Sequence, residues 1–430
     1  MLSQQERNQI LSLMKREVVP AIGCTEPIAV ALCVARACEL LGRVPEKVDA
    51  KLSANILKNA MGVGIPATGM IGLPIAIALG ATVGRSEYGL EVLKDVTQDA
   101  VEQGKWYIDS GAINISLKDG ISEKLYIEVE VSAEAQSAKA IIAGGHTNFV
   151  YLAQGEDVIL DSTKDSKTAS DESSADPELS LKTVWEFATE SPIEELSFIL
   201  EAKRLNKEAA ERSFAGNYGH RLGKILKNDF EKKTMGDGVF SRILSYTSAA
   251  CDARMAGAMI PVMSNSGSGN QGIAATLPVV VYAEDCGADE EHTIRALILS
   301  HLTAIYIKQS LGKLSALCGC VVAATGSSCG ITYLMGGGYM ELSYAVKNMI
   351  ANLTGVICDG AKPSCTLKLS SGVSTAVLSA LMAMEHECVS AVEGIIDEDV
   401  DKSIRNLTAI GRDAMNETDH MVLDIMTHKS

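Results

Sequence analysis

Eleven cysteines, at positions 24, 33, 38, 251, 286, 318, 320, 329, 358, 365 and 388, are the residues best able to do chemistry in this sequence. Cys24 stands in Gly23-Cys24-Thr25-Glu26-Pro27, where Thr25 and Pro27 both favour the start of a helix. The thiol is therefore placed near a helix N-terminus, where free amides and the helix dipole stabilise a thiolate. Cys318 and Cys320 lie in Leu-Ser-Ala-Leu-Cys-Gly-Cys, while Cys358 and Cys365 flank Asp-Gly-Ala-Lys-Pro-Ser, a tight loop able to aim two thiols at one point. Soft thiolates suit zinc or iron and sulfur alike, and this Cys pair is not spaced as a zinc-ribbon knuckle. Three ligands would leave one metal position open to a substrate. Spacing alone leaves open whether a metal is bound and which one. Cys33, Cys38, Cys251, Cys286 and Cys388 read as small buried hydrophobes.

The uncharged run from Ser264 to Gly272 contains a match to the dinucleotide fingerprint GxGxxG. Asn265 and Ser266 would end a preceding strand early, and Pro278 is expected to break the required helix after about one turn, so a nucleotide is disfavoured. A Ser-, Asn- and Gly-rich loop with free amides suits a small carboxylate instead, which makes Asn265, Ser266, Gly267 and Ser268 candidate substrate contacts. Arg254 could grip the same carboxylate through its guanidinium fork, or anchor the fold. His146, in Gly-Gly-His-Thr-Asn, is expected on or just after a strand as a structural residue or a polar contact. His220 and His301 have no informative context.

These residues need a scaffold, and composition limits it. Of 430 residues, 47% are hydrophobic but only 4% aromatic, so the core must be Ala, Leu, Ile, Val, Met and Gly, a mixture suited to closely packed helices. The net charge of −16 provides no basic stripe for a phosphate backbone, so no nucleic-acid partner is expected. The polar, amphipathic start lacks an export signature, which predicts a cytoplasmic protein with reduced thiols. Apolar spacing predicts a first helix over residues 4–17 and a buried one over 28–41. Alternating, β-branched stretches between 112 and 160 predict a small sheet of about four strands, and the polar run 161–180 a flexible surface loop. The reading is α+β: a helical segment over 1–110, a small sheet over 111–162, a polar loop over 163–181, and a helical catalytic body over 182–430. Stretches 255–283 and 314–335 are long enough to span a membrane but are rich in small residues and lack aromatic belts, so no membrane insertion is expected.

At this point the motifs carry a resemblance. Gly23-Cys24-Thr25-Glu26-Pro27, Asn55-x-x-Lys58-Asn59, Gly144-Gly145-His146-Thr147-Asn148, Asp252-Ala253-Arg254-Met255, Ser264 to Gly272, Leu317-Cys318 and Ile357-Cys358-Asp359-Gly360 resemble, in order and over essentially the whole chain, the L-cysteine desulfidase family. That family, long carried as uncharacterised bacterial protein family 0597, is similar to the catalytic chain of iron–sulfur L-serine dehydratases. The resemblance implies a 4Fe-4S cluster on Cys318, Cys358 and Cys365, with one iron not ligated by protein, and Cys24 as the base. For that task its pKa would fall from about 8.5 toward 7 at the helix start. A His stands at the matching place in serine dehydratases, and their second and third ligands are farther apart. Cys320 and Cys329 have no role in the pattern and are read as core. The implied reaction takes L-cysteine, a small amino-acid substrate, to hydrogen sulfide, pyruvate and ammonia. The alternatives are an L-serine or L-threonine dehydratase with the same cluster, or a non-catalytic zinc-bound or metal-free relative. A pyridoxal phosphate lyase would need a Schiff-base lysine, for which Lys58 is the only faint candidate. Assembly as a homo-oligomer is compatible with all of these.

Overall fold

The computed structural model describes residues 2–121, 123–163, 176–228, 233–312 and 314–429. The first helix, Gln4–Glu17, spans the residues that spacing predicts and begins with a capping box: the Glu6 amide donates to the Ser3 hydroxyl, and the Glu6 carboxylate accepts from the Ser3 amide at 2.8 Å. The second, Thr25–Leu41, is buried on nearly every side, which explains its lack of a polar face. It packs between the sheet and helix Leu73–Thr82, and these three elements form one continuous apolar core.

The strands are β1 (Pro20–Ala21), β2 (Lys47–Leu52), β3 (Ile113–Leu117), β4 (Tyr126–Ala133), β5 (Gln136–Ala143), β6 (Phe149–Gln154), β7 (Asp157–Asp161) and β8 (Val262–Met263). β1 and β8 form a separate two-stranded ribbon; the other six make one sheet in the order β3-β2-β4-β5-β6-β7. The architecture is α+β, as predicted, but the sheet is larger than the expected four strands. The extra strands come partly from residues 139–153, one continuous stretch in sequence, which form parts of two strands reversed by a turn at Gly144-Gly145-His146-Thr147. β2 enters the sheet from a region read as helical. It pairs in parallel with β3 and antiparallel with β4, burying Val48, Ala50 and Leu52. Its alternation lasts only six residues and includes an alanine, too weak a signal to stand out. Joining two parallel neighbours requires a long crossover, provided by helices Ala54–Ala60, Leu73–Thr82 and Gln98–Asp109. Residues 164–175, most of the predicted polar loop, lie outside the described residues.

The C-terminal half is helical: Leu181–Glu190, Leu200–Ala215, Val239–Met255, Gly269–Cys286, Glu290–Leu311, Gly319–Leu334, Tyr339–Leu353, Cys365–Met384, Val400–Ala409 and Asn416–Thr427 are its main helices. Helix Gly269–Cys286 corrects one expectation, because it runs through Pro278 for 18 residues instead of breaking after a turn. Pro278 removes one backbone hydrogen bond, but the residues from Gly269 to Val281 are all buried, and this packing holds the helix together. Among the described residues one helix, Cys365–Met384, is long and apolar enough to cross a membrane, and half of its apolar window is buried in protein.

The last helix returns to the first third of the chain. Asp419 forms an ion pair with Lys58, which is only 1% exposed; Asn55 donates to the other carboxylate oxygen at 3.1 Å. Lys58 also donates to the Cys358 carbonyl at 3.2 Å, so one ammonium ties helix Ala54–Ala60 to two distant segments. Removing one partner of a buried pair strands the other charge, whereas removing both does not. Asp419→Ala is therefore expected to lower unfolding free energy by about 3–5 kcal/mol, and Lys58→Met combined with Asp419→Leu by much less. Equilibrium urea unfolding of the three proteins decides this, and equal losses in single and double variants would contradict it.

Candidate active site at converging helix starts

Cys24 is the N-cap of helix Thr25–Leu41 and is 3% exposed. Thr25 donates from its hydroxyl to the Gly267 carbonyl at 2.9 Å, which docks this helix start against the Asn265–Ser268 turn. The Cys24 thiol donates to Glu26 Oε2 at 3.0 Å, and Asn59 Nδ2 donates to Glu26 Oε1 at 3.2 Å. The expected fall in the Cys24 pKa is not what the surroundings produce. Burial, and then the Glu26 carboxylate, push the thiol well above its ordinary value, with Arg254 opposing them. Glu26 was visible in the sequence, but an acid in a first helical turn reads as an ordinary partner of the helix dipole.

The Asn265–Ser268 turn closes on itself: Asn265 N–H donates to the Ser268 carbonyl at 3.1 Å, and Ser268 N–H to the Asn265 carbonyl at 3.0 Å. The Asn265 side chain faces inward and donates to the ring and the carbonyl of His301, each at 3.1 Å. Ser266 has a φ of 49°, its amide donates to the Glu17 carbonyl at 3.0 Å, and its hydroxyl donates to Asn265 Oδ1 at 2.9 Å. Ser268 caps the next helix by accepting from the Gln271 amide. These three side chains thus build the turn. The first amides of helix Gly269–Cys286 have no partner within the helix; Ser268 takes that of Gln271, and Gly269 and Asn270 are buried beside the turn.

Arg254 lies against those amides. A Cβ on Gly269 would fall 2.2 Å from Arg254 Nε, so only glycine allows the guanidinium this close. Arg254 is 3% exposed, donates from Nη1 to Asn270 Oδ1 at 3.0 Å, and its Nε has no partner. A buried guanidinium N–H beside helix-start amides is a ready carboxylate site. The β5–β6 turn brings His146 to the same place, its ring 3.7 Å from where a Gly267 Cβ would stand. His301, uninformative in sequence, proves to be the hub beneath the turn. Burial holds its pKa down to about 3, so the ring is neutral; it accepts from Asn265, which leaves Nε2–H to donate to Thr276 Oγ1 at 2.9 Å.

Cys318 caps helix Gly319–Leu334, and Cys365 opens helix Cys365–Met384. A two-residue bridge between Leu317 and Ile357 brings their loops together: Cys318 N–H donates to the Val356 carbonyl at 3.0 Å and Cys358 N–H to the Ala316 carbonyl at 2.7 Å. Gly360 turns this loop at a φ of 88°, where a Cβ would meet the Lys58 carbonyl at 2.3 Å. Cys318, Cys358 and Cys365 each lie within the others' electrostatic reach. Contact with the Cys320 side chain, amides at the helix start and Lys368 bring the Cys318 thiol down to about 6, whereas burial lifts Cys358 to about 11. Cys251 and Cys320, read as plain core, also border this group: Cys320 faces Cys318, and Cys251 feels Cys365 and Cys318. Cys329 is core, and Cys286 is exposed instead of buried. Gln271 was missed as well; its side chain reaches the position of a Gly319 Cβ, and its Oε1 has no partner. Lys58, engaged with Asp419, is not a free amine for a Schiff base.

The sequence pattern of the serine dehydratase alpha chain family matches residues 87–424. A UPF0597 protein of Phocaeicola vulgatus is 71% identical over 430 residues, covering 100% of this chain and 99% of the relative. One from Bacteroides thetaiotaomicron is 70% identical over 426 residues, 99% of each chain. One from Shewanella pealeana is 46% identical over 425 residues, covering 97% of this chain and 98% of the relative. The dehydratase pattern begins after Cys24 and Lys58, whereas these relatives align from end to end.

Asp252, on the helix that carries Arg254, is 1% exposed; its Oδ2 accepts the Gly223 amide at 3.0 Å, and its Oδ1 has no partner. Burial raises its carboxyl to about 6 from an ordinary 3.8. The folded state therefore holds this proton more tightly than the unfolded chain, and the group's contribution to stability falls as pH rises from about 4 to about 6. Asp252→Asn lacks this slope. Relative to the wild type it is expected to gain stability over that window and then level off, as measured by urea unfolding at a series of pH values.

Proposed function

We propose, from the premise that the chain belongs to the serine dehydratase alpha chain family, that it is a cytoplasmic carbon–sulfur lyase eliminating hydrogen sulfide from L-cysteine to give pyruvate and ammonia. Membership carries a dehydratase-like lyase chemistry. The observation that supports the finer reading is the Cys24 thiol, buried at a helix start and tied through Thr25 to the amide turn beside Arg254.

The residues fit an iron–sulfur cluster. Cys318, Cys358 and Cys365 come from loops and helix starts that meet at one place, and Lys58, Lys362 and Lys368 bring positive charge to them. Among the described residues no three His, Cys, Asp or Glu side chains form a group for a single metal ion. The donor chemistry is what suits a cluster, since soft thiolates are the ligands that hold iron and sulfur. Cys318, Cys358 and Cys365 would hold it, and when bound it supplies a Lewis-acidic iron that makes the β-substituent a better leaving group. The chain does the rest. Arg254 and the amides of helix Gly269–Cys286 take the substrate carboxylate, with His146 and Gly267 at its edge. Cys24 takes the Cα proton. Elimination leaves an enamine that tautomerises to the imine and hydrolyses to pyruvate and ammonia. A second reading, L-serine as substrate, is favoured by the family match itself, since the same residues would expel water instead of hydrosulfide.

The test is anaerobic purification and reconstitution with iron and sulfide, a visible spectrum, and assays of sulfide and pyruvate from L-cysteine and L-serine. Sulfide and pyruvate from L-cysteine are expected. Cys24→Ala should retain the spectrum and lose about 10²–10⁴-fold in turnover, while Cys318→Ser, Cys358→Ser and Cys365→Ser should each lose the spectrum. A colourless, iron-free and inactive protein after reconstitution would sink the reading, and pyruvate from L-serine alone would transfer it to the second.

A further inference from the structure

Cys24 is poorly placed to act alone. Its thiol is buried, and its proton already points at a carboxylate 3.0 Å away. The groups around the pair come from four elements. Glu26 is on the same helix, Asn59 on helix Ala54–Ala60, Arg254 on helix Val239–Met255, and Lys308 near the end of helix Glu290–Leu311. Asn59 holds Glu26 Oε1 and leaves Oε2 to the sulfur, so the carboxylate is oriented before any substrate arrives. Lys308 is buried within the electrostatic reach of Glu26, Cys318 and Cys358, and burial lowers its own pKa to about 8. An acid serving only its helix dipole would need neither an asparagine on one oxygen nor a thiol on the other.

We propose that Glu26 is the proton acceptor behind Cys24: the thiol passes its proton to Glu26 Oε2 as its sulfur takes the Cα proton of the substrate. This rests on the elimination reading given above. The Cα–H bond breaks and an S–H bond forms, while the original S–H bond breaks and an O–H bond forms on Glu26. The Cα–H electron pair becomes the Cα=Cβ bond, and the leaving group departs with the pair of its bond to Cβ. Glu26 then releases its proton to solvent, and Cys24 is again a thiol. The resting pair thus carries one negative charge, on the carboxylate backed by Asn59, and never requires a free buried thiolate. Burial and Glu26 both oppose that thiolate, which removes the difficulty a lone Cys24 base would face.

Glu26→Gln separates the relay from a simple thiolate base, because the two predict opposite outcomes. Removing the negative charge should make the Cys24 thiolate easier to form. Iodoacetamide labelling of Cys24, followed by peptide mass mapping of the reconstituted protein between pH 7 and about 9, should therefore be faster than in the wild type. Turnover should nonetheless fall by about 10²–10⁴-fold, mostly in kcat, with an unchanged cluster spectrum. Glu26→Asp, which keeps a carboxylate, should recover part of the loss. Turnover that is retained or rises along with labelling overturns the proposal, and so does labelling that is unchanged, since Glu26 would then not govern the thiol proton. If the wild type turns over no amino acid, the elimination reading falls, and the labelling result still decides whether Glu26 controls the Cys24 proton.

Discussion

Buried helix N-termini are the constraint on which this structure turns. Each helix start presents amides with no partner inside the helix, and burying them away from water is costly unless something accepts their hydrogen bonds. Here the starts of Thr25–Leu41, Gly269–Cys286, Gly319–Leu334 and Cys365–Met384 carry Cys24, Ser268, Cys318 and Cys365 at or next to the cap. Two of the four offer sulfur at the cap itself, where a serine or aspartate would be usual, and a third places Cys365 directly after its Ser364 cap. Helix-start amides favour an anion, but burial opposes it at sulfur: burial prevails at Cys24 and Cys365, whereas Cys318 is brought below its ordinary value. The same geometry thus leads to the proposed cluster on one side and the proposed carboxylate site on the other.

Close approach of these helix ends depends on small residues. Gly269 admits the Arg254 guanidinium, and Gly360 presses the cluster loop onto the Lys58 carbonyl. The scarcity of aromatic residues is therefore a packing requirement as much as a composition. The sheet does not line the proposed cluster; it buries helix Thr25–Leu41, whose first residue lies beside Cys24, and its β5–β6 turn delivers His146 to the amide loop.

Much of this was legible in the sequence, and the failures follow a pattern. Cys24 at a helix start and the tight loop between Cys358 and Cys365 could be inferred because local residue type carries that information. The roles of Asn265, Glu26, Gln271 and His301 could not, because they depend on which way a side chain turns once distant segments meet. Asn265 looked like a ligand-facing polar residue and instead braces a turn from beneath, through a neutral histidine 36 residues away. Pro278 shows the same limit in the backbone: local propensity argues for a break, and burial along the helix outweighs it. β2 was missed because six residues of weak alternation reveal their strand only beside β4.

A chain with a net charge of −16 nonetheless gathers cations around its thiols, and the way it holds them links site to fold. Lys58 donates to the Cys358 carbonyl, Lys368 to the Ile357 carbonyl, and Lys362 to the carbonyls of Asp359 and Gly360. Each ammonium thus shapes the Cys358–Cys365 loop through backbone oxygens while its charge favours sulfur anions nearby. Lys368 helps to lower Cys318, and Lys58 and Lys362 oppose the burial that raises Cys358 and Cys365. Asp419 secures Lys58 from the last helix, so the electrostatics of the loop are set partly by the far end of the chain. Unfavourable desolvation of the thiolates is offset by groups that the fold must place anyway to close the loop. The loop therefore cannot lose its shape without losing the charge balance around its thiols.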